Sequence, residues 1–190
     1  MFGCFTFSKR KWLKGALKKI GSGLIAIGLC FGPTPRVDSE AMGFGWTVEA
    51  VAQACPTPEA LAEFLHQHIR FSEDWVSMGV EDYWRRPEEF LAQGEGDCED
   101  YALLSEEVLR RLGWEAFTFS LYGQGGYAHT VCVFRDGFSY SVVNQDRVMH
   151  LKARSLEELA GRLYPQWSWG AVAKRHGTRG QAVGRILKRR

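Results

Sequence analysis

The apolar period of this chain changes at Gly113, and that change limits the fold more than any other feature. Before it, Tyr101, Leu104, Val108 and Leu112 recur at helical spacing, with Leu109 widening the stripe. After it, Ala116 to Tyr122 alternates large aromatic residues with small polar ones, the two-residue period of a strand. The Leu112-Gly113 pair suits a helix that stops with glycine just past its end. Further on, His129 to Phe134 and Phe138 to Val143 flank Asp136-Gly137, a strong hairpin signal. Arg147 to Leu151 reads as one more short strand. Helices first and an antiparallel meander second indicate an α+β fold. The helix over 101–112 is expected to pack on that sheet, because neither apolar face is stable in water.

Upstream, Thr57-Pro58-Glu59 opens a helix with Thr57 as N-cap and proline at its first position. Leu61, Phe64, Leu65, His68 and Ile69 would face the core. Residues 71–83 read as a loop or broken helix. Pro87-Glu88-Glu89 opens a short helix ended by Gly94, and Gly94-Glu95-Gly96 is a turn. Asp97 then caps the helix that follows, with Asp100 at N3 beside the positive end of its dipole. Downstream, Ser155 and Glu158 form a capping box before Leu156, Leu159 and Leu163, and Pro165 ends that helix.

Charge divides the chain of 190 residues into three. Residues 1–41 carry a net +5, residues 42–169 a net −10 and residues 170–190 a net +7. The expected organisation is a basic and apolar N-terminal segment (1–41), one domain (42–169) and a basic C-terminal tail (170–190). A body this acidic is a poor nucleic-acid surface, because phosphate binding needs concentrated positive charge. The basic ends keep contact with anionic lipid or nucleic acid open.

The N-terminal segment has three open readings. Six Lys/Arg between residues 9 and 19 precede an apolar stretch, Ile20 to Phe31, which is the form of a signal peptide or uncleaved anchor. Trp12, Leu13, Leu17 and Ile20 share a face at helical spacing, as in a helix lying on a membrane surface. Alternatively, the protein starts at Met42. The first two readings imply a periplasmic, secreted or membrane-associated protein, the third a cytoplasmic one. Five cysteines at irregular spacing (Cys4, Cys30, Cys55, Cys98 and Cys132) argue against a disulfide framework, and the lack of a CxxC argues against structural zinc.

Cys98 would open the long helix, where unpaired N–H groups favour the thiolate, the nucleophilic form. His129 opens a strand after a Gly-rich turn, at a sheet edge from which an imidazole can reach a helix end packed on that sheet. In a two-residue hairpin centred on Asp136-Gly137, paired residue numbers sum to 273, which sets Asn144 opposite His129 with Cβ atoms about 5 Å apart. An amide there would orient the imidazole, and Asp146 is the alternative orienter if the register slips. Gln93, Trp84 and Tyr83 are candidate donors to an oxyanion, besides the Cys98 backbone N–H.

Gly96-Asp97-Cys98-Glu99-Asp100-Tyr101-Ala102, Leu109-Arg110-Arg111-Leu112-Gly113 and Ala128-His129-Thr130-Val131 together resemble the transglutaminase-like superfamily. The chain is most similar to its bacterial transglutaminase-like cysteine proteinases, and Trp84, Pro87, Glu89, Phe90 and Leu91 strengthen the likeness. The resemblance covers residues 58–151. It implies a transglutaminase-like or papain-like cysteine proteinase fold, with Cys98 as nucleophile, His129 as base and Asn144 where members usually carry aspartate. It also implies an acyl-transfer enzyme acting on peptide or amide bonds of a protein or peptide substrate. Transfer to an amine and a non-catalytic peptide-binding module are the alternatives. No cofactor is required for that chemistry. Some members bind Ca²⁺ beside the nucleophile, which maps to Asp97 and Glu99, with Glu95 and Asp100 as further oxygen donors.

Overall fold

The computed structural model describes residues 45–188, so the expectations for the N-terminal segment lie outside the described residues. Among the described residues, six α-helices and eight strands follow one another. The helical half contains α1 (Val48–Ala54), α2 (Pro58–His68), β1 (Arg70–Phe71), α3 (Asp74–Ser77), α4 (Pro87–Gln93), β2 (Glu95–Gly96) and α5 (Cys98–Arg111). The sheet half contains β3 (Ala116–Gly123), β4 (Ala128–Asp136), β5 (Ser139–Asn144), β6 (Arg147–Ala153), α6 (Leu156–Leu163), β7 (Trp167–His176) and β8 (Arg179–Leu187). Six antiparallel strands form one sheet in the order β6-β5-β4-β3-β7-β8, while β1 and β2 form a small parallel pair. The class is α+β, as the change of period at Gly113 indicates. No helix among the described residues is long and apolar enough to cross a membrane.

Local chemistry explains the helix boundaries. The Thr57 hydroxyl accepts from Ala60 N–H at 3.2 Å, and the Ser155 hydroxyl accepts from Glu158 N–H at 3.2 Å. Gly94 closes α4 in the left-handed conformation. α1, which starts after a Thr47 cap of the same kind, is too short for its period to stand out in the sequence.

The sheet separates two apolar layers. On one face, Leu104, Val108 and Leu109 of α5 meet Leu61, Leu65 and Phe90 of the other helices and Cys132, Phe134 and Val143 of the sheet. On the other, Leu159 and Ala160 of α6 cover Phe119, Leu121, Val131, Val133 and Val142. Each large side chain buried here contributes about 1.5–3 kcal/mol relative to exposure.

Two expectations change. The β4–β5 ladder pairs Cys132 with Val143 and Asp136 with Ser139, so the turn is Gly137-Phe138 and paired numbers sum to 275 rather than 273. Gly137, at φ 62°, takes the left-handed first position of the turn, and Phe138 projects into solvent. A shift of two residues preserves the face each side chain occupies. The stretch 170–190, expected as a tail, supplies most of β7 and all of β8. Its alternation is hard to read because β8 is an exposed edge strand with almost no buried side chain.

Candidate active site

Cys98 is the first residue of α5 and is 4% exposed. Asp97 precedes it in an extended conformation, and its N–H donates to the Asp100 carboxylate at 3.2 Å, closing the first turn. Gly96 makes this approach possible: a Cβ there would lie 2.2 Å from the Asp100 oxygen and 2.8 Å from the Phe90 ring. The helix has a fixed direction on the sheet. Beyond its carboxyl end, Trp114 packs edge-on to Phe134, and Glu106 near its middle accepts from Thr118 N–H at 2.7 Å. From Glu106 back to Cys98 and from Thr118 on to Tyr122 the chain covers a similar ~12–14 Å. The amino end of α5 therefore lies toward the end of the sheet where β3 finishes and β4 opens with Ala128 and His129.

His129 is half-buried, and its Nε2 lies 2.7 Å from Asn144 Oδ1. The observed register makes the two residues diagonal rather than directly opposite, a separation that side chains of this length span. The Asn144 amide nitrogen points to Met149 Sδ at 3.6 Å, which turns its oxygen toward the imidazole. An Nε2–H donated to that oxygen leaves Nδ1 as the basic ring nitrogen. The shifted register would set Asp146 opposite His129, but β5 ends at Asn144 and the chain turns at Gln145 with φ 55°. Asp146 is thereby carried toward α2, where it meets His66 Nδ1 at 2.8 Å.

The acids beside Cys98 are buried as deeply as the thiol. The Cys98 Sγ–H donates to Glu99 Oε2 at 3.1 Å. Burial, followed by the neighbouring Cys98 and Asp97, pushes the Glu99 carboxyl well above the usual range. Asp100 is raised to about 7 by burial, against the opposing pull of Arg85. Asp97, Cys98 and Glu99 each offer a ligand atom within 4.8 Å of the others, as do Asp74, Asp82 and Glu99.

Sequence reasoning missed Arg85 and Asp74. Arg85 is fully buried and bonds Asp74 at 2.7 Å and Asp100 at 2.5 Å. No local pattern announces this cluster, since its acids lie 11 residues before and 15 residues after the arginine. Of the oxyanion candidates, Trp84 donates its indole N–H to Asp82 at 3.2 Å, which makes it part of the frame. The Gln93 side-chain oxygen accepts from Arg85 Nε at 2.7 Å, and Tyr83 lies with its ring 5.8 Å from the Arg85 guanidinium carbon.

Cys55, Cys98 and Cys132 are all buried. Burial raises the Cys55 thiol, and burial followed by the charge of Glu106 raises Cys132 well above the usual range.

The family model for bacterial transglutaminase-like cysteine proteinases matches residues 47–138, just under half of the chain. Comparison with curated proteins gave no match. Among solved structures, calcium-bound LapG of Legionella pneumophila is similar at 22% identity and a TM-score of 0.44, over 67% of this chain and 73% of that one. LapG treated with EGTA gives 20% identity and a TM-score of 0.41, over 65% of this chain and 63% of that one. The match takes in the capped helix with Cys98 and the start of β4 with His129, and over residues 47–138 the chain is similar to the bacterial transglutaminase-like cysteine proteinases, which supports a cysteine peptidase of transglutaminase-like type.

Proposed function

We infer that the protein hydrolyses peptide or amide bonds of a protein substrate with Cys98 as nucleophile, His129 as base and Asn144 as the residue that orients the imidazole. The observation that carries this reading is the 2.7 Å contact between His129 and Asn144 at the end of the sheet toward which the amino end of α5 points. Cys98 Sγ attacks the substrate carbonyl, and its proton passes to His129 Nδ1. The acyl group is then bonded to sulfur, and the leaving amine takes the proton from the imidazolium. Water, deprotonated by the same nitrogen, attacks the thioester and releases the acid and the free thiol. The Cys98 backbone N–H, at the positive end of α5, supports the oxyanion. An amine in place of water would give transfer by the same steps.

Hydrolysis is tested with Cys98→Ser and His129→Ala in a proteomic cleavage screen. Loss of cleavage in both variants, with unchanged circular dichroism, is the expected result. Cleavage retained by either one would sink the assignment.

The same reading takes Ca²⁺ as a ligand of Asp97 and Glu99. The residues fit such an ion: carboxylate oxygens within 4.8 Å of one another suit bonds of about 2.3–2.6 Å, whose opposite ends lie roughly 5 Å apart. Arg85 neutralises Asp74 and Asp100, which favours the Asp97–Glu99 side, with Asp82 as a further donor. Bound there, the ion would offset the negative charge that opposes a thiolate. At one hundred times the Kd, added Ca²⁺ should raise the melting temperature by roughly 5–10 °C over chelator. An unchanged melting temperature would remove calcium from the account. Sequencing the amino terminus of the expressed protein separates an exported or membrane-associated enzyme from one that starts at Met42.

A further inference from the structure

Arg85 donates to Asp100, Gln93, Asp74 and Ser77. Its backbone N–H bonds Asp100 Oδ1 at 2.9 Å, and Nε bonds Gln93 at 2.7 Å. Nη1 bonds Asp74 at 2.7 Å and Asp100 Oδ2 at 2.5 Å, and Nη2 bonds the Ser77 hydroxyl at 2.7 Å. A guanidinium buried between two carboxylates is a poor way to add stability alone, because desolvation of three charges offsets most of their attraction. Its value lies in geometry. The Asp100 oxygen it grips also accepts from Asp97 N–H, the bond that closes the turn on which Cys98 stands.

The segment that carries Arg85 is held in turn by the β7–β8 hairpin, which lies outside the residues matched by the family model. Trp84 N–H donates to Thr178 C=O at 2.9 Å, and Trp84 C=O accepts from Arg175 Nε at 2.6 Å. The Trp84 indole lies flush on Gly180, where a Cβ would come within 2.2 Å of the ring. The hairpin thus grips the residue immediately before Arg85 by both backbone groups and by its side chain.

We propose that Arg85 is a positioning residue for Cys98 and that the β7–β8 hairpin, through Arg175, Thr178 and Gly180, holds Arg85 in place. This rests on the reading of Cys98 as nucleophile. Neither Arg85 nor the hairpin acts on substrate; they fix the first turn of α5, and small displacements of a nucleophile cost large factors in rate.

The test follows hydrolysis of 4-nitrophenyl acetate by the full chain, with melting temperature measured in parallel. Arg85→Met should lower kcat at least ~10-fold with KM within about twofold, because so small an ester gains little from Arg85 on binding. Arg85→Lys, which keeps the charge but not the fork that joins Gln93, Asp74, Asp100 and Ser77, should recover kcat in part, to a value between those of Arg85→Met and the parent. Arg175→Met should lower kcat about threefold while the melting temperature moves by no more than ~2 °C. A folded Arg85→Met variant with parental kcat, or no rescue by lysine, overturns the proposal. Should Arg85→Met fail to fold, parental kcat in Arg175→Met overturns it by itself. Hydrolysis that survives in Cys98→Ser removes the nucleophile reading instead, and the proposal falls with it.

Discussion

Cys98 and Cys132 are both buried, at 4% and 0% exposure, yet they sit in opposite kinds of interior. Cys132 lies in mid-strand among Leu104, Val108 and Phe134, where nothing favours a negative sulfur. Cys98 lies at the amino end of a capped helix, bonded to Glu99 and flanked by Asp97 and Asp100. Burial alone therefore says little about a cysteine, and the polarity of what buries it decides its chemistry. The amino end of α5 also holds more charge than an interior tolerates without compensation, and Arg85 answers part of that need.

Exchanging the two thiols gives the largest expected contrast. Cys98→Ser should lower turnover at least ~1000-fold with little change in melting temperature. Cys132→Ala should keep turnover within about twofold and lose about 1–2 kcal/mol of stability through the cavity it leaves. Equal loss of turnover in both variants would break the contrast.

A smaller effect is expected at the orienting amide. Asn144→Ala should lower kcat roughly 10- to 100-fold, and Asn144→Asp should stay within about tenfold of the parent, since a carboxylate accepts the same imidazole N–H. Identical kinetics for Asn144→Ala and the parent would show that the 2.7 Å contact has no part in turnover.

The smallest effect concerns the pH dependence of stability in chelator. The Glu99 carboxyl is raised in the folded state, so the folded protein holds a proton that the unfolded chain has released. Its stabilisation is complete below the ordinary carboxylate range and is lost as pH rises through the raised folded value. The slope can reach about 1.4 kcal/mol per pH unit. Glu99→Gln should flatten this decline in denaturant melts followed upward from the ordinary carboxylate range. A slope unaffected by the substitution would mean that another group carries it.

The sequence made the Cys98 helix legible because its signals are local. Asp97, Asp100 and Gly113 mark the ends of α5 through bonds and conformations that span only a few residues. The His129–Asn144 contact was legible for a related reason: alternation in a strand has period two, so the two-residue difference in register left both side chains on one face. The same difference shows the limit of pattern reading. Turn geometry at Gly137 chose the register, and the turn at Gln145 carried Asp146 to His66.

Local propensity and periodicity by themselves determined the α+β order, the cap that sets Cys98 at a helix start and the face that His129 shares with Asn144. Only the tertiary structure decided that Arg85 joins Asp74 to Asp100, that Trp84 is held by Thr178 and Arg175, and that residues 167–187 close the sheet as a hairpin. These partners are brought together by packing rather than by spacing along the chain. Their attraction depends on burial, which a linear pattern of charges does not encode.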